Sequence, residues 1–139
     1  MRRKLRLNKE LMNIADSVIN SLKEKGFTIH RYDSYSTNSI YLKLDYGVCN
    51  SIRISDHKGK KYLKYRYNII LNGTVQSIMD KYQRYYYNQD SIKGMIKRIV
   101  SDRNEKIEKY GQERYNAFMQ KNNHDSSTKK GFWQQAKLI

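Results

Sequence analysis

The sequence predicts an α+β fold, with an N-terminal helix, a four-stranded antiparallel sheet, and C-terminal helices packed on one face of the sheet. Apolar residues recur at helical spacing before residue 26, alternate with polar residues over 27–71, and recur at helical spacing beyond residue 74. Short connections between the alternating segments favour an antiparallel meander. The 139 residues fit one domain, predicted over 10–121, between a flexible basic arm at 1–9 and a linker and tail at 122–139.

The first helix is predicted from an apolar stripe at positions i, i+3, i+4, i+7, i+8 and i+11. The stripe consists of Leu11, Ile14, Ala15, Val18, Ile19 and Leu22. Asn8 suits the N-cap, because its side chain can accept hydrogen bonds from free backbone N–H groups. Gly26 suits the left-handed position after the helix, since glycine has no Cβ to clash there.

Four segments in the middle of the chain alternate apolar with polar residues, which is the pattern of half-buried strands. They lie at 27–32, 40–46, 52–55 and 63–71. The polar run 56–61 is predicted as a hairpin connection between the last two strands. In the fourth strand Lys64 and Arg66 lie on the face opposite Tyr67, so helices covering the tyrosine would leave both cations facing outward.

The C-terminal half is predicted as helical. Thr74 can cap a helix whose apolar stripe ends at Tyr86, and a break is expected at 88–90. A longer helix follows from about Asp90 toward Phe118, with Gly111 as its weak point. The segment 122–130 has the composition of a linker. Beyond it, Phe132-Trp133 and Leu138-Ile139 are apolar pairs that either dock on the domain or contact a partner.

Positive charge is the clearest functional signal in the sequence. The chain has 28 Lys+Arg against 13 Asp+Glu, a formal net charge of +15, of which 57–99 contribute +8 and the arm +5. This balance excludes an acidic DNA mimic and favours a polyanionic partner. Nucleic acid is favoured over a membrane, because the sequence has no 18-residue apolar run and no cationic helix face opposite a Trp/Phe/Leu face.

We therefore expect a partner that is RNA, DNA or a ribonucleoprotein, bound without a cofactor. Basic side chains would neutralise phosphates, and exposed tyrosines at 85–87 would stack on unpaired bases. The residues predicted to contact nucleic acid are Arg2, Arg3, Lys4, Arg6, Arg53, Lys58, Lys60, Lys61, Lys64, Arg66, Arg84, Tyr85, Lys93, Lys97 and Arg98.

No catalytic or metal site is predicted. Ser55-Asp56-His57 cannot form a triad by itself, because successive residues of an extended chain point to opposite sides. Asp33, Asp45 and Asp56 do not pair closely in sequence, as metal-dependent nuclease chemistry would need. A single cysteine, Cys49, excludes an internal disulfide and disfavours structural zinc.

Two alternatives to a binding protein stay open. A small metal-independent ribonuclease or toxin would use His57, or His30, together with a Lys or Tyr, and such a site leaves no sequence motif. A structural or interaction protein would carry the charge only for solubility.

The central segment resembles small proteins of phages and mobile elements from low-GC Gram-positive bacteria. The resemblance rests on Ser36-x-x-Ser39-Ile40-Tyr41-Leu42, Ser51-Ile52-Arg53-Ile54-Ser55-Asp56-His57 and Tyr67-Asn68-Ile69. Among these proteins, residues 1–100 are similar in layout to a family of broad-spectrum inhibitors of type II CRISPR nucleases. The resemblance implies a non-enzymatic antagonist of a guide-RNA-loaded nuclease in the cytoplasm of a bacterial host. It also implies roles for the arm residues Arg2, Arg3, Lys4 and Arg6, and makes Arg53, Ser55 and His57 positions of interest.

Overall fold

The structure, a computed structural model, describes residues 9–34, 39–55, 66–70, 85–128 and 136–139, with the backbone alone described at 66, 68–70 and 124–128. The predicted α+β class, with an N-terminal helix and C-terminal helices, is confirmed. The helices are α1 (Lys9–Glu24), α2 (Ile92–Tyr110) and α3 (Gln112–Thr128). The strands are β1 (Ile29–Ser34), β2 (Ser39–Leu44), β3 (Ser51–Ser55), β4 (Arg66–Ile70), β5 (Tyr85–Asn88) and β6 (Lys137–Leu138). Short 3-10 turns lie at Asp45–Gly47 and Gln89–Ser91.

Within the described residues the strands form one sheet, in the order β5-β4-β3-β2-β1-β6. The four strands β3, β2, β1 and β6 pair antiparallel, in agreement with the predicted four-stranded antiparallel sheet. The fourth of them is β6 at the C-terminus, however, and not the segment near 63–71. That segment supplies β4, which pairs parallel with β3, and β5 pairs parallel with β4. Ser51 is the register partner of Arg66, so β3 and β4 begin at the same end of the sheet and the predicted hairpin pairing is wrong.

The helices cover one face of the sheet and form the hydrophobic core with it. Every residue of the predicted α1 stripe is buried except Ile14, which is half-buried. From the sheet and α2, the core receives Ile40, Leu42, Leu44, Ile52, Ile54, Tyr67, Met95 and Ile99. Each such side chain contributes about 1.5–3 kcal/mol when it leaves water. This burial fixes α2 over β4 and β5, where the candidate site lies.

Gly26 ends α1 as the sequence predicts, and the long helix predicted toward Phe118 is divided into two helices at its weak point, Gly111. Gly26 has φ +84°, and the N–H groups of Gly26 and Phe27 donate to the carbonyls of Lys23 and Leu22 at 3.0 and 3.1 Å. This pair of bonds is the Schellman motif, which satisfies carbonyls at the end of α1. Gly111, with φ +89°, separates α2 from α3.

Two secondary-structure predictions are wrong. Residues 85–88 form strand β5 rather than the end of a helix, because consecutive tyrosines favour a pleated surface and the register places Tyr85 beside Tyr67. α3 continues to Thr128, through part of the predicted linker. The arm residues 1–8, the proposed hairpin 56–61, most of the helix predicted after Thr74, and Phe132-Trp133 lie outside the described residues.

The end of the chain docks on the sheet, which is one of the two outcomes expected for the tail. Leu138 is the register partner of His30, and the Ile139 N–H donates to the Ile29 carbonyl at 3.0 Å. In the described part of the chain, no helix combines the length and the apolar character that crossing a membrane requires.

Asp45, in the turn after β2, ties α3 to the sheet. Its carboxylate is 2% exposed and accepts hydrogen bonds from the Thr28 N–H at 2.9 Å and the Tyr115 hydroxyl at 2.5 Å. Arg103 of α2 lies 4.0 Å away. Burial and the hydrogen bond to Asp45 raise the pKa of Tyr115 far above its ordinary value. The tyrosine therefore acts here as a neutral donor.

Candidate nucleic-acid interface

The structure separates the predicted contact residues into different environments. Lys93, Lys97 and Arg98 are exposed on α2, Tyr85 is 9% exposed, and Arg53 is fully buried. Arg66 lies in β4, where the backbone alone is described. The residues outside the described ranges are Arg2, Arg3, Lys4, Arg6, Lys58, Lys60, Lys61, Lys64 and Arg84. Those outside ranges hold 12 of the 28 Lys and Arg and two of the 13 Asp and Glu, hence ten of the 15 net charges.

Lys93, Lys97 and Arg98 form what we call the basic ridge, along the N-terminal half of α2. Among the described residues, no carboxylate pairs with Lys93 or Lys97, whereas Arg98 lies 3.6 Å from Asp102 one turn later. The first turn of α2 contains Lys93 and no acid, although the helix dipole favours acids there. Asp90 is the nearest preceding carboxylate. Helix stability therefore does not account for the position of the ridge.

Arg98 is held in place by a closed network of four side chains. Its Nη2 donates to the Tyr85 hydroxyl at 2.8 Å, and its Cζ lies 4.5 Å from the Tyr85 ring centroid. The Tyr85 ring stacks on Tyr67 with centroids 5.5 Å apart and 21° between planes. The Tyr67 hydroxyl donates to Asp102. The Asp102 carboxylate lies 3.6 Å from Arg98, and this ion pair closes the network. We call these four residues the tyrosine–arginine network. It immobilises a guanidinium whose side chain is still 47% exposed.

A cleft of about 540 Å³ opens beside the network. It is lined by Gly47, Val48, Asn50, Tyr85, Arg98, Asp102, Glu105 and Lys106. The two cations and two carboxylates among these described residues balance, so this lining is polar and close to neutral. Lys106 donates to the Val48 carbonyl at 2.6 Å. Burial, and secondarily the charge of Glu105, raise the pKa of Asp102.

A strained turn forms one wall of the cleft. Asp45, Tyr46, Gly47 and Asn50 all have positive φ, at 49°, 57°, 92° and 84°. Aspartate, asparagine and glycine tolerate this region, but Tyr46 adopts it at a cost of about 1–2 kcal/mol. Strain of this kind persists where the surroundings hold it, and it concentrates at functional sites.

On the face of the sheet opposite the helices, the residues of β2 and β3 are also buried and those of β1 are half-buried. Arg53 of β3 lies on this face. Nη2 of Arg53 donates to the Ser39 hydroxyl at 3.3 Å, its Cζ lies 5.9 Å from the Tyr41 ring centroid, and Nε and Nη1 have no acceptor among the described residues. With no exposed surface, Arg53 cannot touch a phosphate backbone in this conformation. The prediction that it contributes to an exposed contact surface therefore conflicts with its burial, because the sequence does not reveal that this face is covered.

Burial on this second face also disfavours charge on its other basic groups. It lowers the pKa of Lys43, and burial together with the charge of Lys43 lowers the pKa of His30. The His30 ring lies 5.0 Å from that of Tyr46, and its Nδ1 has no hydrogen-bond partner within the described ranges. His30 is therefore a neutral, partly covered ring, and His57, the other candidate of the ribonuclease alternative, lies outside the described residues.

Cys49 gives a prediction that tests the packing beneath the cleft. The thiol is 1% exposed, lies 3.8 Å from the Ile99 carbonyl, and has a pKa raised by burial to about 12. An unfolded thiol ionises near pH 8.5, so the unfolded chain loses this proton first and native stability falls by about 1.4 kcal/mol per pH unit above about pH 9. The unfolding free energy of the wild type minus that of Cys49→Ala should decline with this slope up to about pH 11. A pH-independent difference would contradict the burial of Cys49.

Sequence reasoning missed most of the network. The sequence predicts Tyr67 in a strand and assigns Asp102 no role at a site, and nothing in the spacing of these two residues joins positions 35 residues apart. The three consecutive tyrosines beside Arg84 were the one local signal near this site. Among the described residues, no group of three His, Cys, Asp or Glu side chains could hold a metal ion.

Comparison with protein-family models, with curated proteins and with solved structures gives no match.

Proposed function

We propose that this protein binds nucleic acid without catalysing its cleavage, through a basic surface that includes the ridge on α2. The observation that carries the proposal is a net charge of +15 combined with exposed lysines, Lys93 and Lys97, that no described carboxylate neutralises. Phosphate contacts of this kind release counterions and dominate nonspecific affinity.

The immobilised guanidinium of Arg98, which is part of the ridge, favours the binding of single strands over duplexes. Arg98 presents a half-exposed planar cation, and unpaired bases stack on arginine planes. A duplex keeps its bases stacked inside and offers only phosphates to such a group. We therefore expect single-stranded RNA or DNA to bind more tightly than a duplex of equal length.

The salt dependence of binding tests the ridge. Each lysine–phosphate contact with a single strand adds about 0.7 to the slope of log affinity against log salt. The double variant Lys93→Gln/Lys97→Gln should lower that slope by about 1.4, measured by fluorescence anisotropy with a labelled oligonucleotide. The control is Lys23→Gln/Lys121→Gln, which removes the same charge from exposed positions elsewhere. Equal slopes for the two double variants would show that the ridge is not part of the nucleic-acid interface.

The resemblance of the Ile52–His57 run supports a narrower form of the proposal, in which the nucleic acid is guide RNA carried by a type II CRISPR nuclease. The protein would then occlude the loaded nuclease in the cytoplasm of a bacterial host. The test is target cleavage by a guide-loaded nuclease titrated with this protein. Undiminished cleavage at saturating protein would eliminate the inhibitor role while leaving nucleic-acid binding intact.

A further inference from the structure

We infer that the cleft beside α2 takes one unpaired base, guanine in preference to thymine or uracil, stacked on Arg98 with its Watson–Crick edge toward Glu105. The inference rests on the proposed function and names the part of the nucleic acid that the cleft recognises. It depends on three features: a cleft of suitable size, a fixed stacking plane, and carboxylate acceptors in the wall.

The size and the charge of the cleft suit a neutral polar ring. Its volume of about 540 Å³ lies within the range of small-molecule pockets, about 300–1,000 Å³. Arg98 and Lys106 are offset by Asp102 and Glu105, so the described lining of the cleft has no excess charge with which to hold a phosphate. The ridge lies directly next to it, because Arg98 belongs to both. A strand whose phosphates bind Lys93 and Lys97 would thus place a neighbouring base at the cleft.

The base stacks on the guanidinium plane of Arg98, and the tyrosine–arginine network fixes the position of this plane before the base binds. The Tyr85 ring contacts both Tyr67 and Arg98, and the residue is only 9% exposed, so it offers little free surface to a base. The hydrogen bond to the Tyr85 hydroxyl and the nearby Asp102 carboxylate restrict the guanidinium. A restricted group loses little conformational entropy on binding. The exposed part of the Arg98 side chain is therefore a stacking surface that its contacts with Tyr85 and Asp102 hold in place.

The carboxylates select the base by its donors. Asp102 already accepts from Tyr67 and lies beside Arg98, which leaves Glu105, exposed on the cleft wall, to face a ligand. Guanine presents adjacent N1–H and N2–H donors that one carboxylate can accept together. Thymine and uracil place carbonyl oxygens on both sides of a single N–H, and these repel a carboxylate. Hydrogen bonds to a charged acceptor are among the stronger ones.

The test uses pentanucleotides that differ only at the central position, in a thymidine background: guanine, thymine or an abasic site. We expect guanine to bind about tenfold more tightly than thymine, the order of a charge-assisted hydrogen bond. Glu105→Gln should reduce this preference to less than about twofold, whereas Glu108→Gln, which alters an exposed carboxylate three residues further along α2 and outside the cleft, should keep it.

Arg98→Lys keeps the charge and removes the plane. With this variant we expect the guanine and abasic oligonucleotides to bind within about twofold of each other, while the salt slope stays that of the wild type. Equal affinity of the wild type for guanine, thymine and abasic pentanucleotides would overturn the inference and leave nucleic-acid binding standing. Absence of binding to every oligonucleotide at low salt would instead overturn the proposed function itself.

Discussion

Asp45→Ala is expected to lower the free energy of unfolding by about 3–5 kcal/mol. The substitution leaves the partly buried Thr28 N–H and the buried Tyr115 hydroxyl without their acceptor, and it leaves Arg103 without the carboxylate 4.0 Å away. It also places alanine at φ +49°, where a Cβ without a compensating side-chain hydrogen bond is unfavourable. Urea denaturation followed by circular dichroism measures the loss.

Milder variants separate the hydrogen bonds from the backbone. Asp45→Asn tolerates the positive φ and keeps one carbonyl acceptor, so a loss of about 1–3 kcal/mol is expected. Tyr115→Phe removes the donor on α3 alone and should cost about 1–2 kcal/mol. Asp16→Ala, which removes a carboxylate that is 65% exposed beside Arg31, serves as the control and should change stability by less than about 1 kcal/mol. An effect of Asp45→Ala as small as that of Asp16→Ala would refute the anchoring role of Asp45.

Arg53→Met is expected to raise the free energy of unfolding by about 1–4 kcal/mol. The guanidinium is fully buried and donates to the Ser39 hydroxyl at 3.3 Å, and two of its nitrogens have no acceptor in the part of the chain that the structure describes. Arginine keeps its charge in proteins, so folding carries a desolvation cost that no ion pair with a carboxylate of the described residues offsets. Methionine fills a similar volume without a charge, and its flexible chain adapts to the site.

Arg31→Met is the matched control. Arg31 lies in β1, which is separated from β3, the strand of Arg53, by β2. Arg31 bonds Asp33 at 2.8 Å and Asp16 at 3.3 Å, so its loss should lower stability by about 1 kcal/mol, the opposite sign. Nucleic-acid affinity of Arg53→Met should stay within about twofold of the wild type, with an unchanged salt slope. Destabilisation by Arg53→Met together with a shallower slope would show that this face opens and that Arg53 reaches phosphate.

Local pattern determined a large part of the fold. The α1 stripe, the cap at Gly26, the alternation in β1 to β3 and the break at Gly111 each depend on residues within one or two turns. The spacing of apolar side chains and the tolerance of glycine for positive φ are local properties of the sequence, so they can be predicted without the tertiary structure. The positive charge is equally a property of composition, which is why the prediction of a nucleic-acid partner was available from the sequence.

Only the tertiary structure decided how the segments pair and which faces are covered. The parallel pairing of β4 with β3 and the burial of Arg53 depend on contacts between distant parts of the chain. The alternation of Ile52, Arg53 and Ile54 predicts that these side chains lie on two faces of the sheet, but it does not show that β3 is buried on both faces. The tyrosine–arginine network joins β4, β5 and α2 through groups up to 35 residues apart. Such contacts form because packing brings whole elements together, and no local spacing encodes that free energy.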